Sequence, residues 1–89
     1  MTRPDYNALA DLLRVPSIDM AIARELLKID ITRVQDLIGR DPEALYDELV
    51  LRRGKPVDPF YLYVLRSAVY FAETPNPDPE RVHWHAWQD

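Results

Sequence analysis

"RVPSIDMAIAREL", residues 14–26, is the stretch whose reading decides how this chain folds. Pro16 cannot continue a helix, so a helix arriving there must stop. Ser17 and Asp19 are both residue types that cap a helix N-terminus through a side-chain oxygen. After them Ile22, Ala23, Leu26 and Leu27 recur at helical spacing on one face, to about Lys28. Upstream, "DYNALADLLR", residues 5–14, places Leu9, Leu12 and Leu13 on one stripe. Asp5 falls in its first turn and Arg14 in its last, charges matched to a helix dipole. The stretch therefore reads as a tight hairpin between two amphipathic helices.

Further start and stop signals follow along the chain. Thr32 with Gln35 predicts a capping box opening a short helix over 33–38, through Leu37 and Ile38. Asp41-Pro42 is an N-cap acid followed by proline at the first helical position. Leu45, Leu49 and Val50, with Tyr46 beside them, make that helix's apolar set. Arg52 and Arg53 fall in its last turn, and Gly54 suits the left-handed residue that ends it. Asp58-Pro59 repeats the start signal for a helix over 59–73, "PFYLYVLRSAVYFAE", apolar nearly all round, with Arg66 its only charge before Glu73. "TPNPDP", residues 74–79, holds three prolines in six residues and cannot be helix interior. The end, "ERVHWHAWQD", carries both tryptophans and both histidines. No strand pattern and no internal repeat is present. The expected fold is all-α: a compact five-helix bundle over residues 1–73, with an extended Pro-rich, aromatic C-terminal strap, residues 74–89, packed on the same domain.

Eighty-nine residues make one domain, which buries only about 60–65% of its unfolded surface, so the core is thin. There is no cysteine, which excludes disulfides, thiolate nucleophiles and zinc–thiolate sites. The N-terminus lacks an apolar run of signal-peptide length and no segment is long enough to span a membrane, so a cytoplasmic location is the expectation. The formal charge is −4, whereas a protein contacting many phosphates is usually basic. The charge is uneven: residues 1–40 carry six basic and six acidic residues, and the remaining 49 carry five and nine. An anion would be least repelled by the first part.

Residues 9–72, with two apolar positions, a short hairpin, an alanine-bearing second helix and then "IDITRVQDLIGRDPEAL", resemble helix-hairpin-helix proteins of SAM-like architecture. More narrowly, the chain resembles the small bacterial pathogenicity-locus family, some of whose members bear the label mitomycin resistance. "LLRVPSIDMAIARELLKIDITRVQDLIGRDPEALYDEL", "DPFYLYVLRSAVYFA" and the aromatic end "HWHAWQD" carry that resemblance. It implies DNA binding mainly through the hairpin. In helix-hairpin-helix proteins that bind DNA, hairpin glycines let the backbone approach a phosphate, and amides at the second helix's N-terminus donate to it. Here Ser17 and Asp19 stand at the glycine positions. Ile18 matches the inward apolar residue between them, and Ala23 the small residue that lets the helices close up. Ser17 could still donate to a phosphate. Asp19 could cap the helix with the amides a phosphate would need, and would repel it by about 1 kcal/mol at contact in water. Its tolerance of left-handed geometry would let the turn survive.

The candidate nucleic-acid contacts are Arg14, Ser17, Arg24 and Lys28, the last two sharing a helix face. A solvated face diluted by Asp11 and Glu25 is the competing reading. The candidate interaction surface is Tyr63, Arg66 and Tyr70 on the 59–73 helix, which serves equally as core. Trp84 and Trp87 are expected to fold back and hold the strap, with Ile18, Asp19 and Ala23 structural. His83 and His85 lack an evident third metal ligand, and no metal or cofactor is expected. No strained-turn serine nucleophile or glycine-rich phosphate loop is present, so no catalytic residue is assigned. Two functions remain open. One is a non-enzymatic module for protein–protein or homodimer association. The other is weak, sequence-nonspecific DNA binding through residues 14–28.

Overall fold

The computed structural model describes residues 6–89, of which the first element is a helix over Tyr6–Leu12 (α1). Three further helices follow, Met20–Leu27 (α2), Pro42–Arg53 (α3) and Phe60–Glu73 (α4), with short 3-10 turns at Val34–Leu37 and Trp84–Trp87. The described residues are all-helical, with no strand among them. α1 packs on α2, and α3 on α4, while α4 also meets both 3-10 turns. The expected acid at residue 5 lies outside the described residues.

α1 ends earlier than its spacing suggests. Leu13 N–H still donates to the Leu9 carbonyl, but Arg14 and Val15 donate only three residues back, to Asp11 and Leu12. That tightening turns the chain before Pro16 and leaves Arg14 beyond the helix. Leu13 is left partly exposed, while Ala8 joins Leu9 and Leu12 in the interior. Val15 and Ile18 then plug the corner and are buried.

Local caps account for most other boundaries. The Asp41 carboxylate accepts from the Glu43 amide at 3.0 Å, with Pro42 at the first position of α3. Gly54 ends that helix at φ +67°, as a residue without Cβ does readily. The Asp58 carboxylate accepts from Phe60 N–H at 2.9 Å, so it caps α4 one residue beyond its expected start. The box around Thr32 is different from the expected one. Asp36, not Gln35, accepts from the Thr32 amide at 3.0 Å, the Thr32 hydroxyl at 3.1 Å and the Arg33 amide at 3.1 Å. A carboxylate gathers several donors better than a carboxamide. Those donors, the Thr32 amide first, hold the Asp36 carboxyl below the ordinary carboxylate range. The turn that follows buries Val34 and Leu37 and leaves Ile38 exposed.

One core runs through the molecule, from Leu12 and Val15 through Leu26, Ile31 and Leu37 to Leu45, Leu49, Val64 and Leu65. Ser67 lies within it, its hydroxyl donating to the Val64 carbonyl at 2.8 Å, so its burial leaves no polar atom unpaired.

Candidate functional site

The hairpin corner is closed by its own acid. The Asp19 carboxylate accepts from the Ile22 amide at 2.9 Å, and the Asp19 carbonyl accepts from Ala23 N–H at 2.9 Å. Asp19 is extended, with φ −99° and ψ 179°. Ser17 is likewise absent from the residues with positive φ. The corner therefore does not require a left-handed residue at either position, and the tolerance of aspartate for that geometry plays no part. Ile18 is buried beneath the corner, and Ala23 is fully buried where α2 meets its neighbours.

Ser17 is committed elsewhere. Its hydroxyl donates to the Val82 carbonyl at 2.8 Å, across 65 residues of chain. The hydroxyl that was to donate to a phosphate thus ties the corner to the C-terminal segment. No local spacing signals that partner.

The basic residues around the corner are divided. Arg14 pairs with Asp11 at 3.0 Å. The same Asp11 accepts from Val34 N–H at 2.7 Å, and this amide first, then Arg14, holds its carboxyl below the ordinary range. Lys28 lies 3.6 Å from Glu25, which also takes a 2.6 Å hydrogen bond from Arg53 on α3. Arg53 is the main cause of the lowered Glu25 pKa. Arg24 is exposed and, among the described residues, has no carboxylate partner. The amides of Met20 and Ala21 also find no acceptor among the described residues. What remains open at the corner is two amides and one cation beside an acid.

The second candidate surface lies under the tail. Arg66 Nη1 donates to the Trp87 carbonyl and to the Asp89 carboxylate, each at 2.8 Å, and Nη2 reaches Glu43 at 3.4 Å. These carboxylates, Asp89 first, raise the Arg66 pKa. Its guanidinium also lies 5.8 Å from the Tyr63 ring. The Tyr70 hydroxyl accepts from Asp78 N–H at 2.9 Å, and its ring meets Trp87 at 5.6 Å. Trp84 meets Phe60 edge-on at 4.9 Å, and Trp87 Nε1 donates to the Arg81 carbonyl at 2.7 Å. Tyr63, Arg66 and Tyr70 are therefore half-buried, with Arg66 and Tyr70 occupied by the chain itself. A cleft of about 540 Å³ remains between α3, α4 and the tail, lined by Glu43, Arg66, Tyr70, Glu73 and Trp87 among others. The imidazoles of His83 and His85 stack at 5.6 Å. Among the described residues no cluster of three or more His, Cys, Asp or Glu is placed to hold a metal ion. No helix of the described residues is long and apolar enough to cross a membrane.

An all-helical chain with a self-capped corner and an aromatic tail laid on its last helix defines the class. The chain belongs to the Pathogenicity locus family, whose model matches residues 5–89. It is similar to the mitomycin resistance protein McrB of Streptomyces lavendulae, at 34% identity over 76 residues, covering 85% of this chain and 70% of that protein. No solved structure matches it.

Proposed function

We propose that this protein is a non-enzymatic interaction module of the cytoplasm, built on a helix-hairpin-helix bundle whose first hairpin has become a structural corner. In this reading α1 and α2 form the first hairpin and the turn at 33–38 is the connector. α3 and α4, joined through "RRGKPVDP", form a second, degenerate hairpin, and residues 74–89 are the strap. The pairing of α1 with α2 and of α3 with α4 supports this arrangement. The observation that carries the function is the Asp19 carboxylate on the Ile22 amide at 2.9 Å. It places negative charge and an internal acceptor where a phosphate would need bare donors. The commitment of Ser17 to Val82 supports the same conclusion. The partner is then a protein or a second copy of this chain, not DNA.

A second reading, weak nonspecific DNA binding, draws on Arg24, which has no carboxylate partner among the described residues, and on the Met20 and Ala21 amides, open among the same residues. Titration of labelled duplex DNA at low salt separates the two. The interaction module predicts no saturable binding by the native chain and none gained with Asp19→Gly. Salt-sensitive binding that disappears in the Arg24→Ala/Lys28→Ala variant and strengthens with Asp19→Gly would overturn it in favour of the second reading.

A further inference from the structure

The C-terminal ends of α2 and α3 converge on one edge of the molecule, which takes in Lys28 of the hairpin surface and shares no lining residue with the cleft under the tail. Lys28 and Ile29 from the end of α2 and Leu51 and Arg52 from α3 line a shallow cleft of about 340 Å³, together with Asp30 and Glu48. Arg53 and Lys28 meet on Glu25, which fixes the two helix ends against each other. Lys55 follows immediately after the left-handed Gly54, and Arg24 stands one turn before Lys28 on α2.

The charge balance of this edge differs from that of the whole chain. Arg24, Lys28, Arg52, Arg53 and Lys55 stand on these two helix ends with three carboxylates not otherwise cancelled, Glu25, Asp30 and Asp47; Glu48 is paired with Arg40 at 3.4 Å. The chain as a whole carries −4, so the positive charge is segregated. Arg52 and Lys55 have no carboxylate partner among the described residues. Cations in the last turn of a helix complement its dipole, which accounts for Arg52 and Arg53 but not for what stands among them. Leu51 is 80% exposed, the most exposed large hydrophobic residue described. A single exposed leucine needs no explanation by itself. One that borders a cleft between Lys28 and Arg52, with Asp30 and Glu48 on the same lining, is the arrangement of an apolar anchor with a polar rim.

We propose that this edge docks an acidic protein segment carrying an aliphatic side chain. The aliphatic group would enter the cleft over Leu51 and Ile29, and the acidic residues would face Lys28, Arg52 and Lys55. Charge complementarity selects an acidic partner and steers its approach. The exposed leucine favours a peptide over a nucleic acid, whose backbone would meet the cations but gain nothing from Leu51. The inference rests on the interaction-module reading and assigns that module its partner chemistry.

The test uses fluorescence anisotropy with the full chain at low salt and three probes. One is an Asp/Glu-rich peptide with a central leucine. The second is the same peptide with serine in place of the leucine, and the third is a duplex oligonucleotide. The expected result is saturable binding of the leucine peptide that weakens at least tenfold with Lys28→Glu/Arg52→Glu. It should weaken several-fold either with Leu51→Ser in the protein or with serine in the peptide. All three substituted side chains are exposed, and circular dichroism checks that each variant keeps its helices. Equal binding of both peptides, or no loss with Leu51→Ser, would overturn the docking site in favour of unspecific charge attraction. No peptide binding by a chain that self-associates on sedimentation overturns this inference while leaving the interaction module standing. Oligonucleotide binding that depends on Arg24 and is strengthened by Asp19→Gly overturns both.

Discussion

The Ser17 hydroxyl and the Val82 carbonyl, 2.8 Å apart, join the first corner of the chain to its C-terminal segment. Val82 is itself buried, so the bond closes a path between two regions 65 residues apart. Ser17→Ala removes the donor and leaves a carbonyl in a poorly hydrated place. The expected loss is about 1 kcal/mol of unfolding free energy, measured by urea denaturation. Faster hydrogen exchange should accompany it in residues 80–89, with α3 unchanged. An unchanged exchange pattern would show that the tail is held without this bond.

Asp19 is expected to matter for stability whatever its role in binding. Asp19→Ala removes the cap on Ile22 and should cost about 0.5–2 kcal/mol, whereas Asp19→Gly should cost only a few tenths. Thermal unfolding of both variants distinguishes a cap from a side chain that merely fills space.

Asp30 and Gly54 make opposite predictions from the same backbone geometry. Asp30 sits at φ +64° after α2, where its own amide donates to Leu27 and that of Ile31 donates to Leu26. This is the Schellman arrangement, which favours glycine at that position. Asp30→Gly should therefore raise stability by about 0.5–1 kcal/mol. Gly54→Ala should lower it by about 1 kcal/mol, although a Cβ there would touch nothing within 4 Å. The cost is conformational and not steric. Denaturation midpoints of the two variants should move in opposite directions.

Arg66 is the tail's main electrostatic anchor, through Trp87 and Asp89. Arg66→Ala should cost about 1 kcal/mol, since solvent screens part of these charge-assisted bonds. It should also shift tryptophan emission to the red as Trp87 leaves Tyr70. Emission that stays in place would mean that ring packing alone holds the tail.

Acid should cost the protein more stability than it costs variants in which one of its paired carboxylates is neutralised. Asp11, Glu25 and Asp36 all have carboxyl pKa values lowered in the folded chain. A depressed folded pKa contributes stability that is present above the unfolded value, and that is lost as pH falls through the folded one. The loss should therefore set in below about pH 5, where unfolded carboxyls begin to protonate, and continue as pH falls through the folded values. Asp11→Asn should flatten this acid limb while lowering stability at pH 7. A pH series of urea titrations checks both.

The sequence by itself determined where most helices begin and end. Asp19, Asp41-Pro42, Gly54 and Asp58 all act on backbone groups two to four residues away, so their meaning is contained in local spacing. The family was legible for a related reason: the order of these signals, with the aromatic end, runs nearly the whole chain. Spacing could not tell whether Gln35 or Asp36 would gather the Thr32 donors, because both stand within reach. It also could not foresee that Leu13 would stay partly exposed while Ala8 is buried, since that depends on which elements pack against α1. Only the tertiary structure decided where Ser17, Arg66 and Tyr70 spend their hydrogen bonds, and that Lys28 and Arg52 share one edge. Those partners lie on other elements. Which side chains meet there depends on how whole helices pack against each other, and that is settled by burying the common core and not by any short stretch of residues.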